Sequence, residues 1–351
     1  MLAHLSTLFW WPGISATISR RIIKFTKDKI DTSDDESYSW WFFDEMLHKT
    51  MFENFDLSHI DIVSYKILTE KMLRIGVLFE TIVSALFLGF FFIKRGDFEN
   101  ARAMAALLGR IGVEYEHSQA RLFQLLVEVR IFKELGMLKE TIDSAHRGIL
   151  LAERLGFKEM HLEFITLKTQ AQVLDGNLEG SEICLDHQEE IRSNAYLIPY
   201  YLSDYISVRS LYFVSRLEEA VESGDESRIR QFDRESRKWG SRSIKASRKF
   251  KRDRVEVLRL MGTRSWLMGK RKKALKWWAD SVETGERLKF RPDLSRTYFE
   301  IGRRLSEPNS PYRELNGISS SDYLNKAKTM FEEMGLQWDL EQLERVMEHL
   351  D

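Results

Sequence analysis

The amino-acid sequence predicts an all-α protein in which helical hairpins stack on one another as a solenoid. Three observations carry this prediction. The 351-residue chain has only 5 prolines and 19 glycines while 30% of its residues are charged, a composition that favours helices over a many-stranded sheet. The stretch 88–113 has the pattern of a complete helical hairpin. A turn glycine then recurs along the chain at intervals of about 40 to 48 residues.

The hairpin pattern is clearest in the stretch 88–113. It begins with Leu88 and Gly89, reaches a turn at Gly96, and continues into an alanine-rich second half from Ala101. A hairpin of this kind cannot bury its apolar face alone, so neighbouring copies must stack on each other. The recurring turn glycines place five copies along the chain, at Gly96, Gly136, Gly176, Gly224 and Gly269.

Two later copies repeat the internal pattern of the first. A glycine precedes the turn at Gly262 and again, in a sixth copy, at Gly302, where it would let the two helices of a hairpin approach closely. A small residue and a large one then recur four positions apart, as Ala274 with Trp278 and Ala327 with Phe331. We therefore expect Trp278 to be buried.

Several second helices are predicted to end in a glycine between two apolar residues. The glycines are Gly112, Gly156 and Gly335. A left-handed glycine just past the end of a helix satisfies the last carbonyl groups, so we expect all three to be helix-end residues rather than phosphate contacts.

The domain organisation follows from where this pattern is found. Residues 1–70 are predicted to be an N-terminal helical segment without the repeat, and residues 71–351 the repeat array. Within 14–29, apolar and basic residues occupy different helical faces; packing on neighbouring helices is favoured over binding to a membrane surface. A loop rich in proline and serine at 306–321 interrupts the last hairpin, and a capping helix should close the C-terminal end.

Composition bounds the environment of the protein. A formal net charge of −1 makes no general case for nucleic acid or an acidic membrane. The single cysteine, Cys184, fits a reducing compartment, and we expect it to be a small buried residue. The longest apolar run, 83–93, is too short to cross a membrane, and the N-terminus lacks the leading positive charge of a secretory signal. These features predict no transmembrane segment and a cytoplasmic location.

No pattern in the sequence indicates an enzyme, a metal site or a cofactor. The eight histidines are scattered, and none forms an i, i+4 pair. Glycine-rich nucleotide loops and the Gly-x-Ser-x-Gly nucleophile pattern are absent. We therefore predict a non-catalytic protein without a cofactor.

The strongest local anomaly is a basic segment at 228–254, with 12 Lys and Arg against 3 Asp and Glu. Its candidate partner-binding residues are Arg237, Lys238, Trp239, Arg242, Lys245 and Lys249. A solvated face, or cations paired with acidic neighbours, is the first expectation for such a helix. An acidic protein or peptide partner comes next, and nucleic acid or anionic lipid last.

Taken together, Leu-Gly before an aromatic residue, the Gly-Asp-Phe turn and Ala-x3-Phe resemble the tetratricopeptide repeat, stretched here to about 40 residues or more. The resemblance covers roughly residues 77–345. It implies about six helix pairs in a right-handed superhelix, with the first helices lining the concave side. Such a groove suits an extended peptide or a partner helix.

The C-terminal run AKTMFEEMGLQWDLEQLE is also similar to the helical tail of large bacterial signalling proteins that carry a kinase or nucleotide cyclase module and an AAA-type ATPase. This resemblance implies a tail alone, acting as a non-catalytic scaffold or sensor for a peptide or partner protein, with an upstream kinase, cyclase or ATPase as a further partner. The alternatives are a peptide-responsive regulator and a nucleic-acid adaptor that uses the basic segment.

Overall fold

The structure is a computed structural model that describes residues 62–348 and, before them, only the separate positions 21, 24, 25, 29, 38 and 41–43. The side chains of 62–65 are not described. Most of the predicted N-terminal segment 1–70, including 14–29, therefore lies outside the described residues, and the predictions made for it stay predictions.

Fourteen α-helices make up nearly all of the region 62–348. They are α1 (Ile62–Arg74), α2 (Leu78–Arg95), α3 (Phe98–Glu114), α4 (Ser118–Glu134), α5 (Leu138–Leu155), α6 (Lys158–Leu174), α7 (Leu178–Ser193), α8 (Pro199–Glu222), α9 (Glu226–Lys249), α10 (Arg254–Leu267), α11 (Arg271–Leu288), α12 (Arg291–Ser306), α13 (Ser320–Met334) and α14 (Gln337–Glu348). A short 3-10 helix, Lys251–Asp253, links α9 to α10. The predicted all-α fold class is confirmed.

Six hairpins follow one another in this order: α2 with α3, α4 with α5, α6 with α7, α8 with α9, α10 with α11, and α12 with α13. The first five turns use the glycines identified in the sequence, Gly96, Gly136, Gly176, Gly224 and Gly269, all with φ between 67° and 77°. Glycine populates this left-handed region without the steric cost that a Cβ atom brings. Helix α14 follows the sixth hairpin.

The sixth hairpin has a longer connection. Between Ser306 and Ser320 the chain forms a two-residue antiparallel ladder, β1 (Glu314–Leu315) with β2 (Ile318–Ser319). The Asn316-Gly317 pair at its tip has positive φ at both residues, as a tight hairpin turn requires. Ser319 then caps α13 by accepting a hydrogen bond from the backbone amide of Asp322.

The helix-end glycines behave in two ways. Gly156 and Gly335 follow α5 and α13 in the left-handed conformation that the sequence predicts. The expectation for Gly112 is wrong, because this residue lies inside α3, which continues to Glu114. A Cβ atom at 112 would lie 2.5 Å from Cγ of Arg121, whose Nε donates a hydrogen bond to the Gly112 carbonyl. Gly112 therefore allows close packing between α3 and α4.

The residues of the repeat pattern lie in the core. Ala101, Ala274, Trp278, Ala327 and Phe331 are all fully buried. A Cβ atom at Gly89 would lie 3.0 Å from the side chain of Val127 on α4, and one at Gly262 or Gly302 would overlap a neighbouring side chain. These glycines let adjacent helices approach closely.

The two ends of the array meet. Nζ of Lys94, at the end of α2, lies 2.8 Å from Oδ2 of Asp293, near the start of α12. Arg296 on α12 reaches Glu134 at the end of α4. The superhelix thus brings its sixth hairpin against its first two, and the first helices surround a central space.

Candidate binding channel

The central space forms a cavity of about 450 Å³, called the inner channel here. Its wall comes from α4, α6, α8, α10, α12 and α14, so the first helices of successive hairpins line it. The lining residues are Lys133, Gln170, Val173, Leu174, Leu211, Ser215, Glu218, Glu256, Arg259, Asp293, Arg296, Phe299, Glu300, Arg303, Trp338, Asp339, Gln342, Arg345 and Val346. Its volume is within the range of about 300–1,000 Å³ that is typical of ligand sites.

The wall of the inner channel carries equal numbers of positive and negative side chains. Five are cationic (Lys133, Arg259, Arg296, Arg303, Arg345) and five are carboxylates (Glu218, Glu256, Asp293, Glu300, Asp339). The channel therefore has no net charge to attract a polyanion. Its selectivity must depend on which of these groups remain free to bind a ligand.

Arg296 is held on one side of the inner channel by two carboxylates. Its guanidinium donates two hydrogen bonds to Asp339, at 2.9 and 2.8 Å, and one of 2.8 Å to the backbone carbonyl of Glu134. It also pairs with the Glu134 carboxylate. Burial alone would raise the pKa of Glu134, but Lys133, Arg296 and Lys94 together hold it well below its usual range.

A second network lies one turn further along α12. The Glu300 carboxylate accepts hydrogen bonds from Arg303 Nε at 2.7 Å, Arg304 Nε at 3.0 Å and Thr263 Oγ1 at 2.7 Å. Both arginines also pair with Glu218 on α8. Burial favours a raised pKa for Glu300, but the two arginines outweigh it and lower the pKa. These groups fix α8, α10 and α12 relative to each other.

Two cations in the channel wall have capacity left for a ligand. Arg259 approaches Glu256 only to 3.7 Å, and its side chain remains 18% exposed. Arg345 is exposed and forms no ion pair with any residue that the structure describes. An unpaired guanidinium presents a planar fork that suits a carboxylate.

A buried ion cluster lies next along the same helices. It contains the guanidinium groups of Arg130 and Arg252 and the carboxyl groups of Glu163, Asp204 and Asp253. Arg130 pairs with Glu163 and Asp204, and Arg252 approaches Asp204 to 2.9 Å. Two cations face three carboxyl groups, so one negative charge is uncompensated.

Burial and this imbalance favour a protonated carboxyl group in the cluster, and the pKa of Glu163 is raised to about 7. Burial and the neighbouring Asp204 raise the pKa of Asp253 to about 8, and Asp253 also shares a hydrogen bond with Asp204. Ser203 donates a 2.8 Å hydrogen bond to Asp253. Because all of the cluster side chains are buried, we interpret the cluster as a structural core that holds α4, α6 and α8 in register.

An apolar pocket of about 270 Å³ lies nearer the starts of the first helices. Its lining residues are Phe43, Phe79, Val83, Leu86, Phe87, Gln119, Phe123, Phe157, Glu159, Met160, Ile198 and Tyr201. Along α6, the order is pocket at Met160, ion cluster at Glu163 and inner channel from Gln170. The buried cluster therefore lies between an apolar site and a polar one.

The basic segment lies on α9, a second helix, and does not contribute to the inner channel. Arg237, Lys238, Arg242, Lys245 and Lys249 are exposed. Arg237 and Lys238 form ion pairs with carboxylates of their own helix, at 3.5 and 3.3 Å. The partner-binding role of these residues stays a prediction.

Trp239 differs from the other five candidates because its ring is buried. Only 7% of the residue is exposed, and its ring packs edge-on against Tyr205 with Arg242 over its face at 4.7 Å. Neighbouring side chains thus cover the indole, which does not offer a free stacking surface.

Two further findings concern chemistry. Within the described residues, no three His, Cys, Asp or Glu side chains come together as a metal site would need. No helix in this part of the chain is long and apolar enough to cross a membrane.

Comparison with known proteins supports the fold. No family model matches the chain, and neither does any curated protein. A solved Rap protein, complexed with Competence and Sporulation Factor, superposes with a TM-score of 0.63 at 11% identity, covering 93% of this chain and 81% of that chain. A circular tandem repeat protein with novel repeat topology superposes with a TM-score of only 0.23 at 14% identity, covering 95% of this chain and 89% of that chain.

The likeness to the Rap protein confirms the tetratricopeptide-like helical-repeat fold. At 11% identity it shows the fold alone. It gives no support to the part of the sequence resemblance that concerns the tail of a kinase, cyclase or ATPase protein.

Proposed function

We propose that the protein is a non-catalytic interaction module that binds a peptide, or an extended segment of a partner protein, in the inner channel. The observation that carries this proposal is the pair of cations with free capacity, Arg259 and Arg345, in a wall whose other charges are held by ion pairs. A ligand carboxylate in the channel would form charge-assisted hydrogen bonds with these two guanidinium groups. The Rap protein with the same fold was solved with a bound factor, which supports a binding role.

The remainder of the wall also suits a peptide. Apolar side chains such as Leu211, Phe299 and Val346 alternate with polar ones, including the amides of Gln170 and Gln342. An extended peptide offers backbone donors and acceptors together with apolar side chains, and can satisfy both kinds of surface. Because the channel wall is fixed by buried ion pairs, little ordering is required on binding.

The cellular setting is part of this proposal. Cytoplasmic location, a bacterial signalling system and an upstream kinase, cyclase or ATPase rest on the sequence and its resemblance alone. The alternative of a peptide-responsive regulator shares the same first step, binding in the inner channel. It adds a change of shape that is passed to another surface.

The experiment is selection of peptides from a displayed random library on the full chain, followed by affinity measurement on variants. Arg259→Ala and Arg345→Ala should each weaken the selected peptides by at least about tenfold, since a charge-assisted hydrogen bond contributes about 1.5–3 kcal/mol. Arg110→Ala, an exposed cation on α3, serves as the matched control. Equal binding to all three variants would contradict the channel as the site.

A further inference from the structure

A basic groove on the outer surface is separate from the inner channel. It has a volume of about 400 Å³ and lies between α9 and α11, above α10. Its lining residues are Arg237, Ser241, Ile244, Lys245, Arg248, Met261, Arg264, Ser265, Lys273 and Trp277. Five of these ten residues are cations and none is a carboxylate. The groove contains only two of the six residues that the sequence singled out, Arg237 and Lys245.

The cations of the basic groove are largely uncompensated. Lys245, Arg248 and Lys273 are exposed, and none of them forms an ion pair with any residue between 62 and 348. A single carboxylate at the edge, Asp233, serves both Arg237 and Arg264. Burial, and to a smaller extent the nearby Arg237, lower the pKa of Arg264, although Asp233 opposes this shift.

The groove also offers an apolar surface. Met261 on α10 forms part of its floor, Ile244 lies on one wall, and the half-buried Trp277 lies on the other. Along α9 the lining residues Arg237, Ser241 and Lys245 recur at i, i+4 spacing, so they follow one face of the helix. Positive side chains therefore border a short apolar strip.

We propose that the basic groove binds an acidic segment of a partner protein that carries an apolar side chain between its carboxylates. Charge complementarity indicates a negatively charged partner, because the groove is lined by five cations and no carboxylate, and Asp233 at its edge pairs with only two of the five. The strip formed by Ile244, Met261 and Trp277 identifies the apolar side chain.

Nucleic acid fits the same surface less well. Sequence-independent binding of single strands relies on several bases stacking on aromatic rings, and the groove offers only the half-buried Trp277, because Trp239 is already packed against Tyr205. The acidic-protein proposal does not depend on peptide binding in the inner channel, since the two sites share no residue.

The test uses a short fluorescein-labelled peptide of glutamates around one central leucine, measured by fluorescence anisotropy with the full chain. Two probes are compared with it: the same peptide with glutamine in place of glutamate, and a labelled oligothymidylate of equal charge. We expect the glutamate peptide to bind, the glutamine peptide to show no binding, and the glutamate affinity to fall as salt is raised. Stronger binding of oligothymidylate than of the glutamate peptide would overturn the proposal in favour of nucleic acid.

Variants locate the site. The triple change Lys245→Glu, Arg248→Glu and Lys273→Glu alters only exposed, unpaired side chains and should weaken the glutamate peptide at least about tenfold. Its matched control, Arg102→Glu, Arg110→Glu and Lys139→Glu, makes the same charge change on α3 and α5. An equal loss in both triple variants would mean that only total charge matters, and would overturn the proposal.

A second variant tests the apolar strip without changing charge. Trp277→Ala should weaken the glutamate-leucine peptide but leave a peptide with alanine in place of the leucine unaffected. Circular dichroism and urea unfolding establish that each variant is folded. Equal affinity of wild type and Trp277→Ala for the leucine peptide would remove the apolar contact from the proposal and contradict it.

Discussion

The contacts of Arg296 hold the sixth hairpin against the second. Replacing Arg296 therefore tests whether these contacts keep the array closed. Arg296 connects the sixth hairpin to the second through Glu134, and to α14 through Asp339. The change Arg296→Met keeps an unbranched side chain of similar length and removes every one of these hydrogen bonds. Both carboxylates then remain in a buried environment, since each side chain is only 4% exposed.

The expected cost follows from those two carboxylates. Removing one partner of a buried ion pair typically lowers the free energy of unfolding by about 3–5 kcal/mol, because the remaining charge is left buried and unpaired. In the variant, Glu134 keeps Lys133 as an ion-pair partner. Asp339 keeps none among the described residues, because its ion pair is with Arg296. We therefore expect a loss of about 3 kcal/mol, near the lower end of this range.

The assay is urea unfolding at neutral pH, together with small-angle scattering to detect opening of the superhelix. Arg291→Met is the matched control, because Arg291 lies on the same helix but pairs with Glu333 at the surface. That change should cost about 0–1 kcal/mol. Adding Asp339→Asn to Arg296→Met removes the orphaned charge and should recover part of the loss. A loss below about 1 kcal/mol for Arg296→Met, with an unchanged radius of gyration, would refute the closure argument.

Two further predictions concern the interior. The pKa of Asp253 is raised from 3.8 to about 8, so the folded protein binds a proton that the unfolded chain has released. The free energy of unfolding should accordingly fall as pH rises from about 4 to 8 and then level off. Asp253→Asn should remove this part of the slope in urea titrations at several pH values, and an identical slope in wild type and variant would contradict the proton assignment. Gly89→Leu should cost on the order of 1–3 kcal/mol, because a Cβ atom there already lies 3.0 Å from Val127. Unchanged thermal stability of this variant would contradict the close approach of α2 and α4.

The hairpins could be predicted because their signals are local. The turn glycines adopt left-handed φ values that side chains with a Cβ atom rarely adopt, and the apolar periodicity shows which face is buried. The prediction for Gly112 is wrong because a glycine between apolar residues also occurs where another helix packs closely. Only the position of Arg121 on the next helix distinguishes the two cases.

The candidate sites were harder to predict. Arg259 and Arg345 have no distinctive pattern in the sequence, and their availability depends on which neighbours the other charges take. The sequence shows the charge cluster of the basic segment. Two residues of the groove, Lys273 and Trp277, lie on α11 and outside that segment, so the charge cluster does not predict them. Trp239, in contrast, lies within the basic segment, but its side chain is buried and does not line the groove.

The all-α class, the hairpin unit and its turns can be predicted from the sequence, since each depends on residues within about 40 positions of one another. Closure of the array, and the charges that remain free inside it, depend on contacts between residues far apart in the chain. Lys94 and Asp293 are 199 residues apart, and Arg296 and Glu134 are 162 apart. Such pairs form because small rotations between successive hairpins add up along the superhelix, and no local pattern records their sum.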